Sequence, residues 1–135
     1  MSRQAASRIV AIGVGCRAGV AGDAIAALAR RALGEAGAPE GALTMFTLDA
    51  KADEAGLVEA ARLLGVKLVA LPLAALNAQA KRILTPSAPA QARFGAPNIA
   101  EAAALAGAGE GARLLGPRLA ADGATCAIAL VPERR

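Results

Sequence analysis

Residues 8–20, Arg-Ile-Val-Ala-Ile-Gly-Val-Gly-Cys-Arg-Ala-Gly-Val, constrain the fold of this chain more than any other stretch. Ile9, Val10, Ala11 and Ile12 form a short apolar, largely β-branched run that fits a fully buried central strand. Gly13, Gly15 and Gly19 then read as a tight turn of unusual backbone angles. A helix is expected at once over 21–36, because Ile25, Leu28, Ala29, Ala32 and Leu33 recur at helical spacing and Asp23 suits the positive end of the helix dipole. A glycine turn between strand and helix presents free backbone N–H groups, a setting for an anion, and Arg17 adds a planar cationic fork. The competing reading is that the glycines serve the turn alone.

The rest of the chain continues the alternation. Leu-Thr-Met-Phe-Thr-Leu at 43–48 reads as a second strand, followed directly by the polar cluster 49–54. Leu57, Val58, Ala61 and Leu64 mark an amphipathic helix closed by Gly65, and 66–71 is a third strand halted by Pro72. Strand and helix alternating with short connections imply an open, mainly parallel sheet with helices on both faces. Beyond it come a short helix over 73–80 and a loop over 83–89 whose prolines forbid helix. A turn at 95–98 places Asn98 as N-cap of an alanine-rich helix over 99–106 that carries Glu101. Strands at 113–115 and 124–131 form an antiparallel pair across 121–123 at one side of the sheet. The expectation is a single α/β domain over 1–135, three-layer α/β/α, with a mainly parallel but mixed five-stranded sheet and flexible ends at 1–7 and 132–135.

Composition narrows function mainly by exclusion. Only Phe46 and Phe94 are aromatic although 56% of the chain is hydrophobic, so the core must rely on Leu, Ile, Val and close Ala and Gly contacts. The net charge of +4 leans on the termini: without Arg3, Glu133, Arg134 and Arg135 there remain 12 basic and 10 acidic residues. With no basic run and no Tyr or Trp for stacking, a nucleic-acid partner is not expected. No apolar stretch approaches the roughly 20 residues of a membrane span, and none opens the chain as a secretion signal would, so the expected location is cytoplasmic, away from membranes. The absence of histidine removes Ser-His-Asp and Cys-His catalysis, and Cys16 and Cys126 lack metal-ligand spacing. No metal is expected, and both thiols are expected reduced and unlinked. The glycine spacing departs from a dinucleotide loop, since Gly19 falls one residue late and Asp49 lies 30 residues beyond it. Nicotinamide and flavin are therefore not expected, and no cofactor is.

Asp49, Lys51, Asp53 and Glu54 stand at a strand's carboxyl end, where open α/β sheets place ligands, although Asp53 and Glu54 equally suit a helix start. Thr85 and Ser87 can line a ligand or furnish an ordinary loop, and Cys16 is either a reactive thiol at a helix start or a packed small residue. Glu101 is solvent-exposed by default.

Taken in order, Gly-Val-Gly-Cys-Arg-Ala-Gly at 13–19, Asp-Ala-Lys-Ala-Asp-Glu at 49–54, Thr-Pro-Ser at 85–87, Gly-Ala-Pro-Asn-Ile-Ala-Glu-Ala-Ala-Ala at 95–104 and Thr-Cys-Ala-Ile-Ala at 125–129 resemble the CobE/CbiG C-terminal domain family of cobalamin biosynthesis. Asn98 stands where a serine is common in that family and Arg118 where a lysine is common. The resemblance covers about residues 9–130 and implies a role in building the corrin ring of vitamin B12. Family members with an added N-terminal region open the δ-lactone of a cobalt-containing precorrin and release acetaldehyde in the anaerobic route; this chain, with no room for that region, resembles the stand-alone members of the aerobic route. The implied function is to bind or present a corrinoid or precorrin intermediate, with other cobalamin-pathway enzymes as partners. Ligand contacts are expected from Gly13, Gly15, Cys16, Arg17, Gly19, Asp49, Lys51, Thr85, Ser87, Asn98 and Glu101, converging at one edge of the sheet. Arg17 and Lys51 would reach solvent there and meet the intermediate's carboxylates. The alternative is a hydrolase or ring-modifying enzyme, with Asp49 or Glu101 as general base and Lys51 or the loop amides stabilising an oxyanion. A third reading is a structural subunit of a biosynthetic complex.

Overall fold

The apolar run at the start of the chain becomes β1 (Ile9–Cys16) in the computed structural model, which describes residues 8–95 and 98–132. It runs parallel to β2 (Ala42–Leu48), which in turn runs parallel to β3 (Lys67–Leu71). The other side of β1 is closed antiparallel by β6 (Ala124–Leu130). Two short strands share the far side of β6: β4 (Arg113–Leu114) pairs with its end and β5 (Leu119–Ala121) with its start. The mixed α/β sheet is as expected, but among the described residues it has six strands rather than five. β5 escaped the sequence reading because three residues are too few to show an alternation. Asp122 and Gly123 join β5 to β6 with φ of 54° and 84°, so both central residues are left-handed, as a two-residue hairpin loop requires.

In chain order the helices are α1 (Gly22–Glu35), α2 (Ala55–Leu64), α3 (Leu73–Asn77), α4 (Ala88–Phe94) and α5 (Ile99–Ala108), with 3-10 turns at Asp49–Lys51 and Ala80–Arg82. Residues 83–89 are not wholly a loop, as the prolines suggested. Pro89 sits in the first turn of α4, where its missing N–H has no helical acceptor, and the Ser87 hydroxyl accepts from the Ala90 N–H to cap the helix. No helix among the described residues is long and apolar enough to cross a membrane. Of the flexible ends expected at 1–7 and 132–135, all but Pro132 lies outside the described residues, as do Ala96 and Pro97 of the expected turn.

Alternation along β1 builds two cores. Val10, Ile12 and Val14, with Met45 of β2, point to α1 and α2, where they meet Ile25, Leu28 and Leu57. Ala11 points the other way, to Phe46, Leu48, Leu76 and the alanines of α5. Every residue of α5 from Ile99 to Leu105 is buried, and such a helix can lie close to a sheet only if its side chains are small. Gly13 is the matching feature on the sheet. It lies inside β1 rather than in a turn, and a Cβ there would stand 1.9 Å from the Ala100 carbonyl oxygen and 2.5 Å from the Ala104 nitrogen. Its role is to let the backbone of α5 descend onto the strand. Gly107 does the same for Phe46, whose ring occupies the place a Cβ would take. Of the three early glycines only Gly19, with φ of 82°, serves a turn.

This distinction is measurable. Gly13→Ala is expected to abolish folding or to cost more than about 3 kcal/mol, because the clash is with backbone that cannot give. Gly19→Ala meets no neighbour and should cost only about 1 kcal/mol through its positive φ. Denaturant unfolding of the two variants checks this; equal, small costs would return Gly13 to the turn role.

Candidate functional site

The carboxyl ends of β1 and β2 and the start of the antiparallel β6 lie at one edge of the sheet, and an open cleft of about 510 Å³ is set there. Its floor is a row across three strands, Gly15, Thr125 and Ala120, with Ala124 beside them. Ile99, the first residue of α5, forms one wall, and Ser87, Pro89, Ala90 and Phe94 on α4 form the roof. Arg17 enters from the end of β1, Lys51 from the 3-10 turn after β2, and Arg118 from the turn before β5. Against these cations stands Asp122 of the hairpin loop, so the lining is apolar with a net positive rim.

Arg17 and Lys51 therefore face one cleft, together with Gly15, Cys16 and Ser87. Lys51 does not reach freely into solvent as expected. It is only 6% exposed; its ammonium pairs with Glu54 Oε1 at 3.4 Å and stands 5.9 Å from the centre of the Phe94 ring. The other Glu54 oxygen accepts the Gly19 N–H at 3.4 Å. This short relay joins the β1–α1 loop, the 3-10 turn and the roof helix, so Lys51 contributes to the fold as well as to the cleft. Two of the loop amides are also already engaged. The Arg17 N–H donates to the Gly123 carbonyl at 2.9 Å and the Gly19 N–H to Glu54, so these two backbone groups are not open to an anion. The guanidinium of Arg17 is exposed and has no hydrogen-bond or ion-pair partner among the described residues.

Other expected site residues stand outside the cleft lining. Asp49 is exposed at the start of its 3-10 turn, Gly19 lies in a shallower neighbouring depression, and Gly13 lies under α5. Buried Asn98 and Glu101 and half-buried Thr85 form a hydrogen-bonded cluster. Asn98 caps α5, its Oδ1 accepting from the Glu101 N–H at 3.0 Å, and its Nδ2 donates to the Thr85 carbonyl at 2.6 Å. Glu101 is 0% exposed rather than solvated. Oε1 accepts the Leu84 N–H at 2.8 Å and the Thr85 N–H at 2.9 Å, and Oε2 accepts the Thr85 hydroxyl at 2.8 Å and the Arg118 N–H at 2.9 Å. Four donors exhaust the ordinary acceptor capacity of a carboxylate, which leaves Glu101 no role as a general base.

Burial raises the Cys16 thiol above its ordinary range, an effect opposed by the nearby Lys51 charge and reinforced by Glu54. Cys16 is thus a half-buried thiol that lines the cleft and packs against the core on the α1 and α2 side, not an activated thiolate. Cys126 is free and buried, and burial pushes its thiol up to about 12. Among the described residues no group of three or more Cys, Asp or Glu is placed to hold a metal ion. Of the cleft lining, the sequence reading placed only Gly15, Cys16, Arg17, Lys51 and Ser87; Arg118, Phe94, Ala120 and Thr125 are among the residues it missed. Phe94 carried a signal, being one of two aromatics, and Ala120 carried none.

The family described as cobalamin synthesis G C-terminus matches residues 10–129. Protein CobE of a Sinorhizobium species is 37% identical over 119 residues, which cover 87% of this chain and 77% of the relative. Among solved structures, CobE, a protein from the cobalamin (vitamin B12) biosynthetic pathway, is 39% identical with a TM-score of 0.85, over 95% of this chain and 94% of that one. The cobalamin biosynthesis protein chiG from Agrobacterium tumefaciens is 38% identical with a TM-score of 0.68, over 92% of this chain and 99% of its own.

Two outcomes follow from the buried groups. Glu101→Ala leaves the Leu84, Thr85 and Arg118 N–H groups without their acceptor and is expected to cost at least about 3 kcal/mol in denaturant unfolding. For Cys126, the unfolded thiol ionises near its ordinary 9.0 while the folded one stays protonated to about 12. Its contribution is therefore complete below about pH 9 and falls by about 1.4 kcal/mol per pH unit between those values. Unfolding free energies measured above pH 9 should decline more steeply in the wild type than in Cys126→Ala.

Proposed function

Because the chain belongs to the cobalamin synthesis G C-terminus family, we propose that its cleft binds a carboxylate-bearing corrinoid intermediate of the aerobic route and presents it to a partner enzyme of the pathway. One observation carries this reading: the cleft joins an apolar floor and roof to guanidinium groups at its rim. An intermediate of this kind is a flat, largely apolar macrocycle ringed by acetate and propionate groups. The ring would lie between the row Gly15, Thr125, Ala120 and the Phe94 side of α4. Its carboxylates would meet Arg17 and Arg118, whose planar forks match a carboxylate through two parallel, charge-assisted hydrogen bonds. A volume of about 510 Å³, open to one side, falls in the range of small-molecule sites and leaves part of the ligand accessible to a partner.

Binding is favoured over hydrolysis by what faces the cleft. Glu101 is spent on its four donors, Asp49 stands outside, Lys51 is paired with Glu54, and the Cys16 thiol is held protonated by burial. Asp122, exposed in the hairpin loop, is the one carboxylate among the described lining residues.

Mixing the purified protein with corrinoid-pathway intermediates and following their absorption tests this. A shift in the spectrum without turnover is expected, and a new product would replace binding by catalysis. Arg17→Ala should weaken affinity tenfold to a hundredfold, since a charge-assisted hydrogen bond is worth roughly 1.5–3 kcal/mol, while stability changes by no more than about 0.5 kcal/mol. Lys51→Ala, in contrast, should lower both affinity and stability, because its ammonium is buried between Glu54 and Phe94.

A further inference from the structure

We propose that Glu101 is a positioning residue for ligand recognition: without touching the ligand, it holds the backbone at Arg118 so that the guanidinium is aimed across the cleft. The inference rests on the reading above that the cleft takes carboxylates. Leu115 is fixed by its N–H to the Ile128 carbonyl, and β5 pairing begins at Leu119. Gly116, with φ of 100°, and Pro117 lie between, a turn in which the Arg118 N–H is anchored by Glu101 Oε2 at 2.9 Å. The same carboxylate holds Leu84 and Thr85, the root of the segment that leads to the roof helix. Glu101 thereby sets the Arg118 backbone against the roof across the width of the cleft.

The hydrogen-bond pattern suggests a substitution that separates this role from general stabilisation. Glu101→Gln keeps the shape. With its single oxygen toward Leu84 and Thr85, both of those N–H donors stay satisfied, and the new amide can donate to the Thr85 hydroxyl, which turns from donor to acceptor. The Arg118 N–H alone then faces another donor. The opposite amide orientation would set a donor against two N–H groups to rescue one. Glu101→Gln therefore frees the Arg118 turn selectively.

The experiment titrates the full chain with cobyrinic acid, a corrin bearing free carboxylates, and with its fully esterified form, in the wild type, Arg118→Ala, Glu101→Gln and the double variant. In the wild type, cobyrinic acid should bind more tightly than the ester; equal affinity for the two, or no binding of either, refutes the carboxylate reading of the cleft. Given that preference, Arg118→Ala and Glu101→Gln should each weaken cobyrinic acid about tenfold or more, and the double variant no more than about twofold beyond either single one, the coupling expected of residues that act together. The ester should bind alike in all four. Independent, multiplying losses, or an unchanged affinity in Glu101→Gln, overturn the positioning role while leaving the carboxylate reading standing. A measurement on the wild type alone guards against a variant that fails to fold. Amide exchange at Arg118 in the ligand-free protein should be slow, alongside Leu84 and Thr85, and fast exchange at Arg118 alone would also overturn the proposal.

Discussion

A single buried carboxylate organises the far half of this molecule. Removing a charge from water is costly unless it is matched by donors, and Glu101 is matched by four of them, three from backbone and one from the Thr85 hydroxyl. Its place in the first turn of α5, at the positive end of the helix, favours the negative charge further. The donors come from the loop before α4 and the turn before β5, stretches without regular structure whose N–H groups would otherwise lack partners. The carboxylate and the two segments satisfy each other. Asn98 completes the arrangement by capping the helix with one side-chain atom and holding the Thr85 carbonyl with another.

That arrangement depends in turn on how closely α5 approaches the sheet. Gly13 and the small residues of α5 let the helix backbone rest on β1, which sets the height of its first turn above the strand ends. A bulkier contact would lift Glu101 away from the Arg118 turn and Ile99 away from the floor. The small side chains that give this chain its unusual composition are thus tied to the site through geometry. They allow dense packing with few large groups, and they bring a helix terminus to the edge where the cleft forms.

The cleft itself divides two kinds of cation. Lys51 is buried and held by Glu54 beside Phe94, whereas the Arg17 guanidinium stands exposed at the rim. The first keeps the 3-10 turn and the roof helix together; the second is available to a ligand. A hydrated, flexible ammonium suits the internal relay less for its own sake than because its long stem can be buried, while guanidinium suits recognition of a carboxylate by its planar fork.

Much of this is legible in the sequence alone. The β-branched run at 9–12, the helical spacings of 21–36 and 57–64, and the Gly65 and Asn98 helix ends all follow from local rules, since side-chain period and capping act over a few residues. So does the gathering of Arg17 and Lys51 at one sheet edge, because the parallel β1 and β2 deliver their following loops to the same side. Only the tertiary structure decided the rest. Gly13 looked like a turn glycine because nothing local announces a helix arriving from some ninety residues away, and Glu101 looked solvent-exposed because its donors at Leu84, Thr85 and Arg118 lie 16 or 17 residues off in sequence. Lys51 looked free for the same reason, its burial depending on Phe94 of a distant helix. Local chemistry determines which element a residue joins; whether its charge meets solvent, a ligand or a buried partner depends on long-range contacts that no short stretch of sequence encodes.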